Sequence, residues 1–290
     1  MKLLTKLNLI LLLLFAIGGL LVSQVTYGFL IDNAQREVLQ EAQLMMAGAK
    51  SVRDYTSSDL GPLLKQNPEH KTRFLAETIP AFGAITTFAK LRQTYPDYTY
   101  REATLNPTNP EHRATEWEAD LITYLRDHSE KKQISGERPT PMGPSMYLAI
   151  AISADPPCME CHSTPAAAPP AMIGTYGSSN GFGWKPDSII GAQIVSVPMS
   201  VPLQKARQVF HLLLGYLIAI LVGTIVVLDA AIYFIVIRPL KLVSNAADRV
   251  STGDMNPLAL PVKGNDEIAA VTRSFNRMQL SLAKAFKLLG

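Results

Sequence analysis

Residues 7–31 contain no charged side chain, and residues 209–237 contain only one, Asp229. A bilayer core of ~30 Å takes about 20 apolar residues as helix, so both runs are long enough to span it. A cleaved signal peptide has an apolar run of ~7–15 residues and then a small-residue cleavage site. Here the apolar run continues past Gly19 with no clear A-x-A pattern after it, so we read it as an uncleaved anchor. Lys2 and Lys6 precede the first run, and Arg238 and Lys241 follow the second. Lys and Arg gather on the cytoplasmic side, which places both termini in the cytoplasm. The expected plan is a cytoplasmic tip at 1–6, spans at 7–31 and 209–237, an extracytoplasmic domain at 32–208 and a cytoplasmic segment at 238–290. Asp229 either couples helices or relays protons, or it is simply hydrated or protonated in a bundle; no intramembrane partner for it is visible.

Composition narrows the classes. Hydrophobic residues are 48% and charged ones 18%, so a disordered chain is excluded. The net charge of +3 is too small to point to nucleic acid, and the basic surplus sits at the chain ends. Residues 32–208 carry 17 basic against 19 acidic side chains. Two cysteines exclude a disulfide framework and any four-cysteine metal site within one chain.

Both cysteines fall in Cys158-Met159-Glu160-Cys161-His162. C-x-x-C-H is the attachment signature of c-type haem: two thiols bond the vinyl groups, and the adjacent histidine ligates iron as proximal ligand. One motif implies one haem c per chain. Covalent attachment takes place outside the bacterial cytoplasm, where the topology independently puts this segment. The competing readings are a thioredoxin-like pair, a small-loop disulfide and a zinc site. The first lacks a βα context after Pro156-Pro157, the second would stabilise little, and the third needs a fourth ligand.

The sixth iron ligand is open in the sequence. Ala42, Met45, Ala49 and Val52 share a helical face with Met46 beside it, making Met45 and Met46 candidates, although such a stripe also serves as core. Met142, Met146, Met172 and Met199 are alternatives, as is a vacant or histidine-ligated position. His70, His112 and His128 lie in polar stretches and are expected to face solvent.

Helices are expected over 32–67, with Pro62 as end or kink, over 70–94 interrupted at Pro80, over 111–128 and over 165–176. Strands are expected at 98–105, 133–136, 146–153 and 189–201, in a five-strand-like antiparallel mixture. Residues 146–152 are nearly continuously apolar, as a central strand should be. The fold class is α+β.

Asn106-Pro107-Thr108-Asn109-Pro110, Ser135-Gly136-Glu137-Arg138, the C-x-x-C-H motif with Ser163, and Gly181-Phe182-Gly183-Trp184-Lys185 together resemble the bacterial haem-binding, PAS-like sensor family. The resemblance covers about residues 35–205. It implies a PAS-like antiparallel sheet with flanking helices, His162 as proximal ligand and a sixth ligand that varies between members. It also implies that Arg53, Tyr55, Phe182 and Trp184 lie near the haem.

In the cytoplasmic segment, Leu240, Val243, Ala247 and Val250 step by 3, 4 and 3, and Ile268, Val271, Phe275, Met278, Leu282 and Ala285 continue the same rhythm. These narrow seams suit a parallel homodimer of two helices per chain. Pro239, Gly253-Asp254, Asp266-Glu267-Ile268 and Phe275-Asn276-Arg277-Met278 resemble a HAMP linker, with Ala269 where a glycine often stands. No kinase, cyclase or methyl-accepting segment and no catalytic constellation is visible. The chain is therefore expected to be no enzyme but a haem sensor passing a redox or diatomic-gas signal through HAMP to a separate cytoplasmic protein. A membrane-anchored electron-transfer cytochrome is the alternative.

Overall fold

The computed structural model describes residues 3–71, 73–141, 143–254 and 259–289. Met142, weighed above as a ligand candidate, and the side chain of His70, expected above to face solvent, lie outside the described residues. The chain forms two compact units, Thr26–Phe210 and Met1–Val25 with His211–Gly290.

In Thr26–Phe210 the first element is part of the long helix α1 (Leu3–Tyr55). Chain direction is kept through a π-helical turn, Thr56–Leu60, into α2 (Gly61–Lys65). Pro62 sits in the first turn of α2, where its missing N–H costs nothing, so it starts an element and does not end one. Pro80 does the same for α3 (Pro80–Thr94), correcting the expected interruption. Strand β1 (Thr99–Thr104) is followed by a single turn at Pro110–His112, which Asn109 caps by accepting from Glu111 N at 3.1 Å. Helix α4 (Glu116–Asp127) begins later than position 111 because Thr115 and Glu118 form a reciprocal capping box there.

Four strands, not five, make one antiparallel sheet: β1, β2 (Gln133–Thr140), β3 (Gly143–Ser153) and β4 (Ile189–Pro198), in the order β1-β4-β3-β2. The apolar run at 146–152 lies in β3, an inner strand, as expected. Between β3 and β4 come α5 (Met159–His162) and α6 (Pro170–Tyr176).

Strand alternation splits the core into two layers. One sheet face presents Tyr100, Leu148, Val195 and Val197 to Val38, Ala42, Met46 and Ala49 of α1 and to Ala84 and Phe88 of α3. The other presents Ala103, Ala149, Ala192 and Ile194 to Leu121, Ile122 and Leu125 of α4. Helices on both faces of an antiparallel sheet make the unit α+β. His112 and His128 are half-buried, correcting the expectation of solvent exposure. Burial holds the His112 imidazole below its usual pKa, and His128 stacks on Tyr124 at 4.2 Å.

The second unit contains the N-terminal part of α1 and most of α7 (Ser200–Ile232). A π-helical turn at Tyr233–Ile237, α8 (Arg238–Ser251) and α9 (Glu267–Leu289) complete it. The helical stretches Leu4–Lys65 and Ser200–Ser251 are long and apolar enough to cross a membrane, and they flank the domain as in a two-pass membrane protein. Leu13, Leu20 and Val227 are more than half exposed, as lipid-facing side chains are. Asp229 does have a partner in the other apolar helix, which corrects the sequence reading: Asn8 Nδ2 donates to its Oδ2 at 2.9 Å.

Asp266 caps α9, its Oδ1 accepting from Ala269 N at 2.8 Å. Asn276 grips the connector at both backbone polar groups of one residue, accepting from Leu260 N at 3.0 Å and donating to Leu260 O at 2.9 Å. Phe275 is buried, whereas Val271, Met278 and Leu282 of the same seam remain exposed. Replacing Asn276 with alanine removes two hydrogen bonds of about 1 kcal/mol each. The expected result is faster amide exchange at Leu260 without loss of α9 helicity; unchanged exchange would contradict the clamp.

Candidate functional site

A tight turn, Pro156–Cys158, leads straight into α5, so Cys158, Cys161 and His162 stand at i, i+3 and i+4 of one helical segment. That spacing puts all three on one face, which gives the C-x-x-C-H motif its geometry. Both thiols are free and half-buried. Burial pushes both above their usual pKa, and Glu160 adds to the shift at Cys161. The described residues hold no group of three or more His, Cys, Asp or Glu placed to share a metal ion.

The histidine is oriented by segments distant in sequence. His162 Nδ1 lies 2.7 Å from Gly181 O, and a carbonyl can only accept, so Nδ1 carries the hydrogen. Thr108 Oγ1 approaches the same nitrogen at 3.4 Å. Trp184 stacks on the imidazole, with ring centroids 3.9 Å apart and planes 11° apart. Burial lowers the His162 pKa against the opposing pull of the Gly181 hydrogen bond. The outcome is a neutral imidazole whose Nε2 holds a lone pair, the form that ligates metals.

Gly181 is held in turn. Its N–H donates to Asn106 Oδ1 at 3.2 Å. Its φ is +82°, and an added Cβ would lie 2.1 Å from Thr108 Oγ1 and 2.8 Å from Thr108 Cα. Three of the separated sequence runs therefore meet at one histidine. Asn106, Thr108 and Gly181 stand in runs that carry the family resemblance, but their role in orienting His162 is visible only in the structure.

Arg53 reaches from the end of α1 to Glu102 on β1, an ion pair in which Glu102 is 6% exposed. Glu102 also accepts from Tyr100 Oη at 2.7 Å. Burial opposes the Arg53 charge, but Glu102 outweighs it, and the Cys158 thiol lies close enough to contribute. Burial and Glu102 push the Tyr100 phenol far above its usual range, so it remains a donor. Tyr55 is 59% exposed, outside this network. Phe182 and Trp184 line a cleft of about 310 Å3 together with Leu105, Asn106, Arg126 and Lys185. Met46 is 4% exposed in the core between α1 and the sheet, with Met45 at its margin. Met146 and Met199 lie in the same cluster, and Met172 is buried on α6.

The fold and site define a class: an α+β domain between two apolar helices, with a surface turn of two free thiols and an oriented imidazole, joined to a pair of seamed helices. Residues 31–198 match the family model Tll0287-like (Tll0287), and residues 232–284 match the HAMP domain. The chain belongs to the Tll0287-like family, with a HAMP domain following. Among solved structures it is similar to the cyanobacterial heme-protein Tll0287, at 13% identity over 56% of this chain and 95% of that one, with a TM-score of 0.44. No curated protein sequence matches it.

Proposed function

We propose that the chain is a two-pass bacterial inner-membrane sensor carrying one haem c, bonded through Cys158 and Cys161 with His162 as proximal iron ligand. Residues 32–208 are periplasmic and both termini cytoplasmic. The observation that carries the reading is the hydrogen bond from His162 Nδ1 to Gly181 O, which leaves Nε2 free beside two free thiols. The donor set suits the group: two sulfurs for vinyl addition and one neutral nitrogen for iron. Bound haem c would supply reversible one-electron chemistry and, if its sixth position opens, affinity for a diatomic gas.

The chain's own residues do the rest. Gly181 and Thr108 fix the imidazole, Trp184 covers its face, and the Arg53–Glu102 pair ties α1 to β1 near Cys158. Met46 and Met45 on α1 remain the sixth-ligand candidates, and a thioether there would raise the potential. The exposed seam of Val271, Met278 and Leu282 is covered by a second copy of the chain, so the protein works as a homodimer. HAMP repacking then reaches a separate cytoplasmic protein, and the chain transduces without catalysing.

Protein purified from a host that matures c-type cytochromes is expected to gain the mass of one haem and to give a pyridine haemochrome spectrum of the c type. Cys158→Ala with Cys161→Ala is expected to be colourless, and His162→Ala to keep the covalent group but lose histidine ligation. Colourless wild-type protein at its polypeptide mass overturns the reading. Covalent haem with unchanged output in the cysteine variant would instead leave an electron-transfer cytochrome.

A further inference from the structure

Helix α4 packs over Ala103, Ala149 and Ala192 but leaves the sheet face open beyond its N-terminal turn. There a cleft of about 250 Å3 is lined by Arg92 of α3, Arg101 of β1, Arg138 of β2, Trp117 and Glu118 of α4, and Ile194 of β4. Three guanidinium groups thus face one carboxylate. Glu118 is already engaged: it pairs with Arg101 at 2.9 Å and accepts from Thr115 N at 2.8 Å. Among the described residues no carboxylate pairs with Arg92 or Arg138.

The Arg138 guanidinium lies 3.9 Å over the Trp117 ring, and Tyr147 meets that ring edge-on at 5.9 Å. Stacking holds the guanidinium flat and leaves its N–H edge for a planar two-oxygen acceptor. Ile194 supplies an apolar floor, which an inorganic oxyanion would not use. The volume, at the low end of small-molecule sites, limits the occupant to a small molecule.

We propose that this cleft binds a small organic carboxylate, a second input to the sensor domain. The site shares no residue with the cluster around His162, so it stands or falls apart from haem binding.

The test uses the full-length chain in lipid nanodiscs, titrated calorimetrically with acetate, succinate and benzoate, and with sulfate in parallel. At least one carboxylate is expected to bind saturably and more tightly than sulfate. Arg138→Ala is expected to weaken that binding tenfold or more. Arg138→Lys should also weaken it, because an ammonium lacks the guanidinium fork. Arg92→Ala, on an exposed helix position, gives a second variant with no packing role, and circular dichroism verifies that each variant is folded. Arg101 is left in place because its loss would strand the buried Glu118. Three results would overturn the proposal: no carboxylate binding, sulfate binding as tight as the best carboxylate, or unchanged affinity in both Arg138→Ala and Arg92→Ala. Haem absorption is expected to be the same in all variants, which keeps this outcome separate from that of the functional reading.

Discussion

Glu102→Ala is expected to destabilise the Thr26–Phe210 unit by roughly 3–5 kcal/mol, the usual cost of removing one partner from a buried ion pair. Glu102 is 6% exposed and holds two groups at once, the Arg53 guanidinium and the Tyr100 hydroxyl. Its loss strands a positive charge at the end of α1 and leaves the phenol only Gln193 Oε1, at 3.4 Å. For a domain of this size that corresponds to a drop of roughly 6–20 °C in unfolding midpoint. Glu102→Gln keeps an acceptor for Tyr100 and should fall between. The double change Arg53→Met with Glu102→Leu should recover most of the loss, since an apolar pair of similar volume is often neutral in such a place. Thermal unfolding of the four proteins measures this directly. A midpoint within 2 °C of wild type for Glu102→Ala would mean that the pair is solvated and does not fasten α1 to the sheet.

The second large effect is expected at Gly181. With φ at +82°, a side chain there costs ~1–2 kcal/mol through backbone sterics alone. In addition the new Cβ would sit 2.8 Å from Thr108 Cα, a backbone atom that cannot rotate aside. The loop must shift, and with it the carbonyl that holds His162 Nδ1. Gly181→Ala is therefore expected to lower thermal stability and to broaden or lose the histidine-ligated haem spectrum while the covalent bonds persist. Gly183 provides a matched control, because its φ is +76° but no atom lies within 4 Å of the added Cβ. Gly183→Ala should show the backbone cost of about 1 kcal/mol and a normal spectrum. Equal effects at the two glycines would remove Thr108 and the close approach from the account.

Several element boundaries differ from those the sequence pattern implies, each for a physical reason. Strand β2, expected over 133–136, runs to Thr140. An edge strand tolerates Pro139, and the ring of Tyr147 lies over Gly136, close enough to meet an added Cβ. Residues 165–169 were expected to be helical, and α6 begins only at Pro170, a favoured first-turn residue. On α1 the sequence placed Met45 on the inner face with Met46 beside it. The fully buried stripe runs through Val38, Ala42, Met46 and Ala49, and Met45 and Val52 pack against it partly buried, so Met46 is the more central of the two methionines. The Asn8–Asp229 contact is not legible in the sequence, because Asn8 reads as one polar residue at the edge of an apolar run.

What the chain determines locally was legible before folding. The two apolar runs, the Cys158, Cys161 and His162 turn and the seams of α8 and α9 are each written in consecutive or periodic residues, and the forces that read them act within a few turns of backbone. The tertiary structure alone decided which nitrogen of His162 is free, through a carbonyl 19 residues away, and which acid neutralises Arg53, 49 residues away. Such pairs depend on strand register and on the side chosen by each crossing segment. Those are settled by burying both faces of the sheet at once, so they are properties of the whole core and of no single stretch.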